Sequence, residues 1–143
     1  TRGFSDVISA RDLGLQAVMC FKSLVIAVNH VPAGRAVGYG SDWIASEDTR
    51  VAVVAAGYAD GYPRNMPSGT PVLINQQPCG IVGRVSMDMI CVDIGDLVVK
   101  CGDEAILWGN DLAADDIATY ADTIAYELFC RVASLRHEWI ERS

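Results

Sequence analysis

The sequence has few basic side chains and no long apolar run. Of its 143 residues, 11 are Lys or Arg against 18 Asp or Glu, which gives a net charge of −7. A chain this acidic, without a Lys/Arg stripe, is a poor partner for nucleic-acid phosphates or anionic membranes. Its longest apolar run, Val51 to Gly57, suits a buried strand and falls far short of the ~20 residues that a membrane helix needs. We therefore expect no nucleic-acid partner and no membrane span.

Cysteine spacing and the small number of histidines argue against disulfides and metal sites. The five cysteines form no C-x-x-C pair, and most lie inside apolar runs, where a free thiol behaves as a small hydrophobe. Only His30 and His137 could join them as zinc ligands, and neither has a ligand-like spacing. No signal-peptide pattern is present, and the chain begins at Thr1 and not at Met. We expect a reduced cytoplasmic protein without a metal, and a chain that is part of a longer one.

Short apolar runs punctuated by Gly and Pro dominate the first three quarters of the chain. Residues 1–16 show no clean period, and we interpret them as a linker that leads into a domain over 17–143. Because no helical period separates the apolar runs, parallel βαβ winding is disfavoured and a β-barrel or sandwich is favoured. The predicted extended segments are 17–31, 35–39, 50–56, 70–74, 80–85, 89–94 and 104–108.

A helical period appears only near the end of the chain. Asp111 or a neighbouring Asp is expected to cap a helix over Leu112–Ala121. A second helix is expected from about Thr123 to Ala133, with Leu128 on its apolar face. The sequence thus predicts a mainly β fold: a Greek-key-like, partly open β-barrel with two short helices near the C-terminus.

Three segments carry aromatic or charged groups that a core does not require. A Tyr between two glycines, such as Tyr39, is commonly a packed aromatic whose hydroxyl finds one hydrogen bond. The pair Asp60–Gly61 is commonly a plain turn and not an acid catalyst. The three segments are Val37–Gly40, Gly57–Arg64 and Gly83–Met89.

The third segment has structural alternatives of its own. Arg84 and Asp88 interrupt two apolar runs, so we expect both at a rim, where they would form an ion pair worth under about 1 kcal/mol. Met87 and Met89 alternate as strand residues do, which favours packing for at least one of them.

Taken together and in order, the motifs of this chain resemble the alanine racemase family. The match runs roughly from Leu15 to Arg131, and GYADGYPR and GRVSMDM at this spacing are its most specific parts. The matching runs are GYG (38–40), DTR (48–50), GYADGYPR (57–64), PSGTPVLIN (67–75), IVGRVSMDMICVD (81–93), GDEAILWG (102–109) and AYELFCR (125–131).

The resemblance implies the C-terminal β-domain of an enzyme that interconverts L- and D-alanine and supplies D-alanine for peptidoglycan. In this family an N-terminal TIM-type barrel binds pyridoxal 5′-phosphate (PLP) through a lysine. The full enzyme is a head-to-tail homodimer, and the C-terminal domain of one subunit completes the active site of the other. The implied partners are therefore alanine, a PLP barrel domain and a second subunit.

The resemblance also assigns roles to residues of this chain. Tyr39 matches the tyrosine base that exchanges the α-proton of L-alanine, opposite the barrel's lysine. Because a free tyrosine has a pKa near 10, such a base needs activation by its surroundings. Met87 matches the methionine whose backbone N–H binds the substrate carboxylate.

Further matched residues line the access corridor to the cofactor. They are Tyr58, Arg84 and Asp88. A narrow corridor that contains an Arg would favour a small substrate bearing a carboxylate.

The sequence departs from the family pattern in two places. The PLP lysine motif is absent: the two lysines, Lys22 and Lys100, lie in unrelated contexts, so the isolated domain is expected to be inactive. Near the C-terminus, Ser134 fills the position of a residue close to the PLP phosphate, but Leu135 stands where the family has Arg.

Two other functions remain open at this point. One is a racemase that accepts serine or several amino acids. The other is a non-catalytic β-domain that associates with itself, since an isolated domain would expose the apolar surface that normally meets the barrel.

Overall fold

The computed structural model describes residues 20–37, 43–109, 111–123, 127–128 and 130–131. Within these ranges the chain forms eight strands, a 3₁₀ turn at Tyr58–Asp60 and helix α1 (Ala114–Tyr120), and residues 127–128 and 130–131 are also helical. The strands are β1 (Phe21–Val31), β2 (Ala36–Val37), β3 (Trp43–Ile44), β4 (Thr49–Val54), β5 (Pro71–Ile74), β6 (Gln77–Val82), β7 (Ile90–Asp93) and β8 (Glu104–Trp108).

Six of the strands close into an antiparallel barrel in the order β1-β4-β7-β6-β5-β8. Strands β5, β6 and β7 follow one another as hairpins, and β8 returns to lie beside β5, which is the Greek-key arrangement. The predicted mainly β, Greek-key barrel is therefore confirmed. Strands β2 and β3 form a separate two-stranded sheet.

The barrel is closed, where the sequence predicted a partly open one. Closure depends on the length of β1, whose first residues pair with β8 (Phe21 opposite Trp108). The rest of β1 pairs with β4, as far as Val31 opposite Thr49. The register shifts between Val25 and Ala27, and an irregularity of this kind bends a strand. One bent strand thus joins both edges of the sheet.

The core fills the barrel interior and extends beneath α1. Alternation along β7 buries Ile90 and Val92 and leaves Cys91 and Asp93 partly exposed, as expected for a strand with one buried face. Helix α1 buries Ile117 and Ala118 against the same cluster. Large side chains that are almost fully buried include Trp108, Tyr62, Ile74, Ile81, Leu107 and Leu128.

The predicted helices are only partly as expected. The N-cap of α1 is Ala113, which makes no side-chain cap bond, so the prediction of an Asp cap is wrong. Asp115 and Asp116 lie in the first turn instead, where the helix dipole favours negative charge. Residues 127–128 and 130–131 are helical and Leu128 is buried; the other positions of the second helix after Thr123 lie outside the described residues, as does the predicted linker 1–16. None of the helices in the described ranges is long and apolar enough to cross a membrane.

The turn between β5 and β6 is a tight hairpin turn. Asn75 and Gln76 alone form it, with φ of 51° and 67°, which is the φ pattern of a type I′ hairpin. Pro78 lies in β6 opposite Leu73. Its ring is tolerated there because the pairing of β6 with β7 covers only Gly80–Val82, so the missing N–H costs no ladder bond.

Candidate functional site

The two most distinctive motifs, GYADGYPR and GRVSMDM, meet at one end of the barrel. Strands β4 and β7 are neighbours, and Val54 at the end of β4 pairs with Ile90 at the start of β7. The chain leaving β4 and the chain entering β7 must therefore emerge side by side. This topology brings together the loop Gly57–Arg64 and the loop Gly83–Met89, which we call the paired loops.

Backbone hydrogen bonds join the paired loops. The N–H of Tyr58 donates to the carbonyl oxygen of Ser86 at 3.0 Å, and the N–H of Ala59 donates to that of Met87 at 2.8 Å. Within the first loop, the Asp60 carboxylate accepts the N–H of Gly57 at 3.0 Å. Gly61 follows with φ of 100°, so the structural alternative of a plain turn at Asp60–Gly61 is confirmed.

The second loop presents its methionines to solvent. Met87 is 57% exposed and Met89 36% exposed, so the expectation that at least one of them packs is wrong. The reason is local: the N–H of Ser86 donates to the carbonyl oxygen of Met89 at 3.1 Å. This bond closes a tight turn over residues 86–89, and the side chains do not follow strand alternation.

Two arginines border a groove beside the paired loops. The guanidinium of Arg64 lies over the ring of Tyr58, with its central carbon 5.2 Å from the ring centroid. Arg64 and Arg84 both line a groove of about 320 Å³, together with Met66, Ser68 and Gly83. The N–H of Gly83 donates to Ser68 Oγ at 3.0 Å, which fixes the loop that carries Arg84. Such a groove presents cationic groups to a small anionic molecule.

The described site residues predicted from the sequence all lie on the paired loops. Tyr58, Met87 and Asp88 share the hydrogen-bonded region, and Arg84 borders the groove. Arg64 was missed by sequence reasoning, although it stands in the same motif as Tyr58. Tyr39 and Ser134 lie outside the described residues; Tyr39 falls between Val37 and Trp43, which are paired across β2 and β3.

A larger groove of about 540 Å³ runs along β6 and contains none of the predicted site residues. Cys79 and Asp93 are among its lining residues. Burial, assisted by the nearby Asp93 carboxylate, raises the pKa of the Cys79 thiol above its ordinary value. A thiol held in its protonated form is a poor nucleophile, so Cys79 is not a candidate nucleophile.

Comparisons with known proteins identify the family of this chain. Residues 18–139 match the family model described as alanine racemase, C-terminal domain. The alanine racemase of Vibrio vulnificus (strain CMCP6) is 55% identical over 127 residues, which cover 88% of this chain and 36% of that protein. The chain thus spans about a third of the length of such relatives.

Solved structures agree with the sequence comparison. The biosynthetic alanine racemase of Pseudomonas aeruginosa superimposes with a TM-score of 0.85 at 44% identity, over 87% of this chain and 35% of that one. An alanine racemase of Bartonella henselae, solved with covalently bound pyridoxal phosphate, gives a TM-score of 0.75 at 31% identity, over 79% of this chain and 32% of that one. The closed Greek-key barrel is therefore the fold of the C-terminal domain of these racemases. The chain belongs to the alanine racemase family and corresponds to its C-terminal domain.

Proposed function

We propose that this chain works as the C-terminal domain of a longer, PLP-dependent alanine racemase that interconverts L- and D-alanine. The enzyme would be a cytoplasmic homodimer, and its D-alanine would supply peptidoglycan. The single observation that carries the proposal is the pair of hydrogen-bonded loops, GYADGYPR and GRVSMDM, presented on the surface of a domain of this family.

The cofactor lysine belongs to another part of the longer protein. The two lysines of this chain do not fit that role. Lys22 forms an ion pair with Glu104 at 3.6 Å between β1 and β8, and the exposed Lys100 lies next to the turn fixed by Asp103. We propose that an N-terminal barrel domain supplies the lysine and most of the cofactor contacts, and that Ser134 lies near the phosphate. When bound, PLP acts as an electron sink that makes the α-proton of an amino acid removable.

Binding of the substrate carboxylate falls to the backbone N–H of Met87. Among the described residues, none accepts a hydrogen bond from this N–H, and the residue lies on an exposed turn. A free amide donor is suited to an anionic oxygen, because a hydrogen bond to a charged group is about twice as strong as a neutral one. The Met87 side chain is not needed for this role.

Proton exchange falls to Tyr39. Racemisation requires a base on each face of the α-carbon, and Tyr39 would serve the face from which L-alanine loses its proton. Its hydroxyl would act on a substrate bound in the partner subunit. Tyr58, Arg84 and Asp88 would line the corridor through which a small carboxylate-bearing substrate reaches that site.

The chain alone, without a barrel domain, should be inactive. The exposed Tyr58, Met87 and Met89 form an apolar surface at the paired loops, as expected for a face that is covered in an assembly. Because the barrel domain would supply the cofactor lysine, the purified chain should show no racemisation and no PLP absorbance. The longer protein should show both.

The decisive experiment compares the longer protein with its Tyr39→Phe variant on both alanine enantiomers. Exchange of the α-proton with solvent is followed separately from each enantiomer by mass spectrometry. Tyr39→Phe should suppress α-proton abstraction from L-alanine far more than from D-alanine. Equal losses from both enantiomers would contradict the assignment of Tyr39 to one face. If the longer protein turned over serine faster than alanine in a substrate panel, serine would be its substrate. If it turned over no amino acid, the alternative of a non-catalytic domain would be favoured.

A further inference from the structure

The backbone of the first paired loop controls the orientation of two peptide groups in the second. Tyr58 and Ala59 direct their N–H groups at the carbonyl oxygens of Ser86 and Met87, at 3.0 and 2.8 Å. Both acceptors are therefore held toward the first loop. These contacts involve only main-chain atoms, so the side chains at 86 and 87 do not affect them.

Fixing a carbonyl oxygen also fixes the neighbouring N–H. Every peptide bond among the described residues is trans, and in a trans peptide the C=O and the following N–H point in opposite directions. Because the Ser86 carbonyl points at Tyr58, the N–H of Met87 points away from the first loop. The same reasoning turns the N–H of Asp88 away from Ala59. The N–H groups of Met87 and Asp88 thus both point to the side of the turn that faces away from the first paired loop.

This arrangement requires a residue without a side chain at position 57. A Cβ built on Gly57 would lie 2.6 Å from both the nitrogen of Asp88 and the carbonyl carbon of Met87, and closer still to the oxygen of Ser86. The φ and ψ of Gly57, −146° and −164°, are extended values that any residue adopts. The glycine is therefore needed for close approach and not for backbone conformation.

Asp60 holds Gly57 in contact with the second loop. Its carboxylate accepts the N–H of Gly57 at 3.0 Å, and the N–H of Tyr62 donates to the Gly57 carbonyl at 3.2 Å. Position 57 is thus fixed from both sides, so a larger residue there must displace the turn over 86–88.

We propose that Gly57 is a positioning residue, which sets the place and direction of the Met87 N–H for the substrate carboxylate. The inference rests on the proposed function. Beyond that function, it requires a residue without a side chain at position 57, in the first loop, whereas the N–H that contacts the substrate belongs to the second loop. The role is exerted through the contact of Gly57 with the backbone of residues 86–88, and Asp60 supports it.

The test is Gly57→Ala in the longer protein, with Gly109→Ala as the matched control. A Cβ at Gly109 would meet the Cys20 thiol at 2.5 Å, so the control introduces the same methyl group into a tight contact outside the paired loops. A carboxylate contact made equally in the ground and transition states affects KM and leaves kcat unchanged. We expect Gly57→Ala to raise KM for alanine about tenfold, with kcat within about twofold of wild type. Gly109→Ala should change neither.

A second pair of variants and a direct readout cover the case in which Gly57→Ala does not fold. Asp60→Ala removes the acceptor that holds Gly57, and should raise KM and speed amide hydrogen exchange over residues 84–89. Asp60→Asn keeps an oxygen acceptor and should recover most of both effects. Folded variants with wild-type KM and exchange would overturn the inference while leaving racemisation by the wild-type enzyme intact. A wild-type protein that binds and racemises no amino acid would overturn the proposed function, and the inference with it.

Discussion

The ring of Tyr62 lies nearly parallel to the indole of Trp108, with ring centroids 6.2 Å apart and planes 14° apart. Phe21 packs against the same indole with ring centroids 4.8 Å apart and planes tilted by 57°, so three aromatic rings form a cluster in the barrel core. Tyr62 is 1% exposed, whereas Tyr58 in the same motif is 39% exposed. The motif GYADGYPR thus supplies one tyrosine to the core and one to the candidate site.

Removing the hydroxyl of Tyr62 should leave the protein as stable as before or slightly more stable. Among the described residues neither the Tyr62 hydroxyl nor the Trp108 N–H has a hydrogen-bond partner, and a buried unsatisfied polar group costs about 1–3 kcal/mol. Tyr62→Phe should therefore keep or raise the thermal unfolding midpoint. Tyr62→Ala should lower stability by about 3–5 kcal/mol because it leaves a cavity beside Trp108. A clear loss of stability in Tyr62→Phe would show that the hydroxyl has a partner, such as a buried water.

Tyr62 should also affect stability at alkaline pH. Burial raises the pKa of its hydroxyl above the ordinary value of 10.0, so above pH ~10 the unfolded chain releases a proton that the folded chain retains. Because the folded state then binds more protons, the free energy of unfolding falls as pH rises. Denaturant midpoints measured between pH ~9 and ~11 should fall less steeply for Tyr62→Phe than for wild type. Tyr120→Phe, at an exposed ring, is the matched control for the loss of one hydroxyl, and an equal slope in wild type and Tyr62→Phe would contradict this account.

The sequence was most informative where an apolar run is bounded on both sides by turn residues. The extended segment 104–108 is found with the predicted bounds as β8, because an apolar run between two turns has few other places in a barrel. Closure was not predictable in the same way, since it requires β1 to pair with β4 and β8 at once. That pairing joins segments far apart in the sequence, and local patterns do not report it.

The sequence predicted which residues belong to the candidate site, but it did not predict how the two loops contact each other. The motifs at 57–64 and 83–89 were both singled out from their composition. Their contact depends on β4 lying next to β7, a Greek-key neighbour relation that neither motif encodes. The role of Gly57 follows only from the distance between the two backbones, and the stacking of Arg64 on Tyr58 follows only from the turn between them.

Replacing Gln76 with glycine should stabilise the hairpin of β5 and β6. Gln76 has φ of 67°, a left-handed conformation that costs a residue with a Cβ about 1–2 kcal/mol. Glycine takes it without steric cost, but part of the gain is offset by the greater freedom of glycine in the unfolded chain. Gln76→Gly should therefore raise stability by about 0.5–1 kcal/mol, measured as a higher thermal unfolding midpoint. Gln77→Gly, one position later and inside β6, is the control and should lower the midpoint; a lower midpoint for Gln76→Gly would rule out strain at this turn.

Arg64 should act on the candidate site through Tyr58. The guanidinium carbon lies 5.2 Å from the centre of the Tyr58 ring, and a cation–π contact at an exposed position is worth about 0.5–1 kcal/mol. Arg64→Ala in the longer protein should lower kcat/KM for alanine about two- to fivefold, because the Tyr58 ring loses the group that holds it. Arg64→Lys keeps the charge but loses the planar stack, and should give a smaller loss. In a Tyr58→Ala background the further change Arg64→Ala should have little effect, since a double-mutant cycle isolates the pairwise contribution. Full additivity of the two substitutions would mean that Arg64 acts on the substrate independently of Tyr58.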